Sequence, residues 1–104
     1  MSVFLHATIE ARPAEMGRLL SVLAQMKRIL AEAGWGMVGC FTFRTGRLNT
    51  IVDLWELEDM NHYDRGIRAI AVHPSFGEIR EVLSAAIISE TLAFADRVDL
   101  DALR

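Results

Sequence analysis

From Val3 to Glu10 the chain alternates: Val3, Leu5, Ala7 and Ile9 fall on one side of an extended backbone, Phe4, His6, Thr8 and Glu10 on the other. A period of two predicts a strand. After Pro13, which suits a first helical turn, Met16, Leu19, Leu20, Leu23, Met26, Ile29, Leu30 and Ala33 recur at helical spacing until Gly34 supplies a stop. Period two returns from Trp35 to Arg44, with Trp35, Met37, Gly39, Phe41 and Phe43 set against Gly36, Val38, Cys40 and Thr42. Thr45-Gly46-Arg47 then predicts a hairpin turn into a third strand, Leu48 to Leu57. Asp59 is placed to cap a second helix with the stripe Met60, Tyr63, Ile67, Ile70 and Ala71, leaving Asn61, His62, Arg65 and Arg68 on its polar side. His73-Pro74 ends that helix, and Ser75 with Glu78 forms an S-x-x-E capping box for a third, whose stripe is Phe76, Ile79, Val82, Leu83 and Ala86. Ile87 to Ala95 alternates again and predicts a last strand before a polar tail.

This order, β-α-β-β-α-α-β in a single domain over residues 1–104, predicts an α+β ferredoxin-like sandwich. The right-handed crossover rule gives its four-stranded antiparallel sheet the order 4-1-3-2. Helices cover one face. The other, expected to bear Phe4, Ile51, Trp55 and several of Trp35, Met37, Phe41 and Phe43, is too apolar to meet water. Composition points the same way: 52% of the residues are hydrophobic and mean hydropathy is +0.25, more apolar material than one small core hides. A homodimer is expected, a second copy of the same sheet covering that face across an ordinary interface of roughly 1,600 Å².

Charge narrows the partners. Net charge is −3 and the basic residues, arginines apart from Lys27, are scattered without a basic stripe, so nucleic acid is not an expected ligand. The single cysteine, Cys40, excludes an internal disulfide and a Cys-rich zinc site, and between Gly39 and Phe41 it reads as a small buried residue. The chain opens on a strand pattern rather than a leader, and no apolar run reaches the roughly 20 residues that span a bilayer, so no membrane partner and a cytoplasmic location are expected.

Gly46-Arg47-Leu48 opening a strand that ends Asp53-Leu54-Trp55-Glu56-Leu57, then Arg65 and Arg68, then His73-Pro74-Ser75-Phe76, resembles the NIPSNAP-like members of the dimeric α+β barrel superfamily. His73 departs from the acidic residue usual before that proline. The resemblance implies homodimers whose two sheets pair into a dimeric α+β barrel with a pocket inside each half. The wider superfamily holds cofactor-free monooxygenases, isomerases, cyclases and haem enzymes, so fold alone does not assign a reaction.

Strand parity supplies candidate chemistry. If Val52 and Leu54 face the helices with Val3, Leu5, Ala7 and Ile9, then His6, Thr8, Asn49, Asp53 and Trp55 face the barrel. His6 as base and Asp53 as its orienting acid would then be the catalytic pair, with Phe4, Thr8, Asn49, Trp55 and Tyr63 lining a site for a hydrophobic, carbonyl-bearing or aromatic molecule. Set against this, a histidine on a strand is commonly structural, Asp53 can pair with Arg44, Trp55 can anchor a core or interface, Tyr63 is most simply core and His62 most simply solvated. Arg65 and Arg68 suit an anionic ligand or pairing with Asp64 or Glu58. Three separated histidines form no metal motif, and neither a metal nor a cofactor is expected. Two functions follow: a cofactor-independent enzyme of cyclase, isomerase or monooxygenase type, or a non-catalytic ligand-binding or accessory module.

Overall fold

The computed structural model describes residues 2–103. Its elements are β1 (Val3–Ala11), α1 (Met16–Glu32, entered through a 3₁₀ turn at Pro13–Glu15), β2 (Gly36–Thr42), β3 (Thr50–Leu57), α2 (Met60–Ala71), α3 (Phe76–Ala86) and β4 (Ile87–Ala95), with a 3₁₀ turn at Leu100–Leu103. The sheet runs β2-β3-β1-β4, the predicted order read from the other edge, and every pairing is antiparallel. The chain is an α+β ferredoxin-like sandwich with helices on one sheet face.

Register decides what lies under the helices. Leu5 pairs with Trp55, Ala7 with Asp53 and Ile9 with Ile51, so these six side chains share one face. All six are buried. The opposite face carries Phe4, His6, Thr8 and Glu10 opposite Glu56, Leu54, Val52 and Thr50. β1 therefore has the expected parity and β3 the reverse: Ile51, Asp53 and Trp55 lie beneath the helices. The signal was Glu56, which shares parity with Val52 and Leu54, whereas Leu57 shares parity with Trp55.

The aromatic alternation of β2 is also split. The register slips between Met37 and Gly39, a bulge that sets Met37 opposite Trp55 on the helix face but Gly39 and Phe41 opposite Leu54 and Val52 on the bare one. The Phe41 ring lies over Gly39, where a Cβ would stand 2.7 Å from it and turn it aside. Phe41 keeps 54% of its surface exposed. Cys40, expected buried, is exposed on this edge strand. The hairpin loop is longer than predicted, running from Phe43 to Asn49, and Asn49 sits at φ 62° in the turn rather than on a strand.

Two caps differ from expectation. Asp59 accepts from the His62 N–H as predicted, but Ser75 makes no side-chain cap, and its own N–H donates to His73 Nδ1 at 3.0 Å. His62 is buried rather than solvated. Its Nδ1 accepts from the Glu58 N–H at 3.0 Å, which leaves Nε2 to donate to the Ala33 carbonyl at 2.7 Å. One neutral imidazole thus ties the end of α1 to the start of α2. Trp35 locks the same junction: its indole N–H donates to the His62 carbonyl at 3.0 Å, and its ring occupies the space a Cβ on Gly66 would need, 2.3 Å away.

Candidate functional site

Between the sheet and the three helices lies a cavity of about 310 Å³. Its floor is Leu5, Ala7, Ile9 and Trp55, and its walls include Leu23, Met26, Tyr63, Ile70, Phe76 and Leu83. Ile67, Glu90 and Leu92 also line it and are exposed, which marks its open side between α2 and the β4 edge. Trp35 meets Trp55 edge-on at 5.4 Å and stacks on Tyr63 at 5.7 Å, and Tyr63 in turn meets Phe94 edge-on. The lining is almost wholly apolar, so any polar atom within it stands out.

That atom belongs to Asp53. Its side chain keeps only 5% of its surface; Oδ2 accepts from the Trp55 indole N–H at 2.5 Å, while Oδ1 is buried with no hydrogen-bond partner among the described residues. An unmet buried acceptor costs about 1–3 kcal/mol. Burial pushes the Asp53 carboxyl above its ordinary value, the hydrogen bond from Trp55 pulling against it. Glu90, paired with Ile9 on the same face, is also pushed up, first by burial at the cavity rim and then by the Asp53 charge. Tyr63 is raised by burial and by Glu90 and Asp64. Cys40, opposite Asp53 in the ladder, is raised by burial and by Asp53 against a lowering from Lys27. Two carboxyls with elevated proton affinity therefore serve one apolar chamber.

The predicted site residues divide between the two sheet faces. Asp53, Trp55 and Tyr63 line the cavity together. His6 pairs with Leu54 on the bare face, exposed to water, so the sheet itself separates it from Asp53 and the expected dyad does not form. Phe4 and Thr8 share the His6 face, Phe4 under the Arg97 guanidinium at 5.0 Å, and Asn49 lies in the hairpin turn, its carbonyl accepting from Ala11. Asp53 pairs with Trp55 rather than Arg44. Arg65 takes Glu58 at 3.4 Å on the surface. Glu90 was missed, although its alternation with Leu92 and Phe94 in β4 placed it on the face of Asp53. Among the described residues, no three His, Cys, Asp or Glu side chains are grouped to hold a metal ion, and no helix is long and apolar enough to cross a membrane.

The NIPSNAP family model matches residues 7–91. No curated protein matches the chain. Among solved structures, a NIPSNAP family protein from Agrobacterium tumefaciens is similar at 18% identity over the whole of both chains, with a TM-score of 0.82. A NIPSNAP-like domain protein from Burkholderia xenovorans is 18% identical over 94% of this chain and 86% of its own, with a TM-score of 0.76. SnoaB, a cofactor-independent oxygenase from Streptomyces nogalater, is 16% identical over 94% of both chains, with a TM-score of 0.67. At these identities the likeness is one of fold.

Proposed function

This chain belongs to the NIPSNAP family, and from that premise we propose that it is a homodimeric small-molecule-binding protein, each subunit holding a hydrophobic ligand between sheet and helices with a hydrogen-bond donor against Asp53. The buried, unpartnered Oδ1 of Asp53 carries this reading. A group that costs stability unless something donates to it is fitted to a ligand that does so.

The same atom supplies a reaction. A carboxylate pushed up by burial is a stronger base than one in water, and Oδ1 can take a proton from the carbon beside a bound carbonyl, leaving the electron pair on the substrate as an enolate. Returned elsewhere on the substrate, that proton completes an isomerisation or a cyclisation with no other reagent. A monooxygenase of this kind draws its oxidant from dioxygen, and the fold shared with SnoaB is consistent with cofactor-independent chemistry. Asp53 replaces His6 as the base, with Trp55 holding its other oxygen.

The neutral probe N-phenyl-1-naphthylamine tests the binding site. Its emission should rise saturably at one site per chain. Ala7→Phe, which fills the cavity floor beside Asp53, should abolish the rise, and Ala93→Phe, beside His6 on the opposite face, should leave it intact. A rise insensitive to Ala7→Phe in a protein that still melts cooperatively rejects the site.

A further inference from the structure

Resting on that reading of the cavity, we infer that the ligand is an apolar amine: a hydrocarbon or aromatic body inside the chamber, with a protonated nitrogen at the Asp53–Glu90 end. Charge balance in the chamber selects it. Among the described residues that line the cavity, Asp53 and Glu90 are acids and none is lysine, arginine or histidine. Asp53 keeps one oxygen with no donor, and it is nineteen-twentieths buried. Buried carboxylates are ordinarily matched by a cation from the protein. Among the described residues the only side chain that donates to Asp53 is the neutral indole of Trp55, so the missing charge is left for the ligand.

Three further features select a cation over a neutral donor. Glu90 lines the same cavity on the same sheet face, one pairing row along from Asp53 (Asp53 opposite Ala7, Glu90 opposite Ile9), so the chamber presents a second acid at its rim. Trp35, Trp55 and Tyr63 all line the chamber, and aromatic rings attract an ammonium more than a hydroxyl. An anion meets the buried Asp53 carboxylate in a low-dielectric wall and Glu90 at the open rim, with no arginine or lysine among the described lining residues to offset them.

Octylamine, 1-octanol and octanoate share one tail and differ only at the head, so their affinities at neutral pH separate charge from hydrophobic burial. Calorimetry gives the constants. Emission from Trp35 and Trp55, the chain's two tryptophans and both in the lining, reports the location. Octylamine should bind about tenfold or more tightly than octanol, and octanoate weakest of the three. Asp53→Asn should erase the advantage of the amine while octanol affinity changes less than about threefold, and Glu90→Gln should reduce it in part. Octanol equalling octylamine, or octanoate leading, overturns the amine assignment and leaves the cavity as a binding site. Binding of none of the three overturns both. Because the ranking is read on the unaltered protein, a variant that fails to fold does not remove the test.

Discussion

At the scale of single residues the account rests on Asp53, and its raised proton affinity has a sign that stability can read. The native carboxyl holds its proton to higher pH than the unfolded one, so between the two pKa values the native state binds more protons and stability falls as pH rises. The contribution is fully present below the unfolded value and is lost as pH rises through the folded one. Glu90 acts in the same direction. Asp53→Asn should therefore raise stability at neutral pH by on the order of 1 kcal/mol and flatten its dependence on pH, checked by urea denaturation across the acid range. An unchanged pH slope contradicts the burial argument. His6→Ala, on the sheet face opposite the cavity, should leave cavity binding within about 0.5 kcal/mol of the parent, checked by probe titration. Strand parity marked Asp53 and Trp55 as site residues, Asp53 as the partner of His6, and Tyr63 entered from α2 as a residue most simply read as core. The sequence did not show which face they serve. β3 is apolar on both faces, with Ile51, Trp55 and Leu57 on one and Val52 and Leu54 on the other, so alternation alone leaves its parity to Glu56.

Among the elements, each helix and strand was legible from period and punctuation, and the faults lie where a local device interrupts the period. The bulge near Val38 turns one aromatic alternation into two half-strands facing opposite ways. The junction of α1 and α2 was invisible because His62 looks polar on a helical wheel, while its burial comes from two backbone groups, Glu58 N–H and Ala33 carbonyl, that only the tertiary fold brings together. Substitution there should be costly. His62→Ala strands both groups and should destabilise the protein by about 2 kcal/mol. Gly66→Ala drives a methyl into the Trp35 ring and should cost about 1–3 kcal/mol while also disturbing ligand binding, since Trp35 lines the cavity. Shifts of the urea midpoint check both.

For the whole molecule, shape and surface argue for a second copy. The subunit is a slab 47 × 36 × 17 Å with a radius of gyration of 14.6 Å, above the ~13 Å of a compact chain this long. Its bare sheet face exposes Phe41 and carries Val52, Leu54 and Phe4. That face is less apolar than the alternation suggested, because Trp35, Ile51 and Trp55 belong to the core and His6, Thr8, Glu10 and Thr91 sit among its apolar residues. Sedimentation at micromolar concentration should show a dimer, and Leu54→Asp should yield a folded monomer that keeps its cavity. A dimer unaffected by Leu54→Asp places the interface elsewhere. The ligand site stands apart from that question, enclosed by one subunit's own sheet and helices. A crystal structure of the protein grown with octylamine tests it most directly. The account predicts density for the alkyl chain between sheet and helices, with the nitrogen within hydrogen-bonding distance of Asp53 Oδ1; density on the opposite face beside His6, or a cavity left empty at saturating ligand, contradicts it.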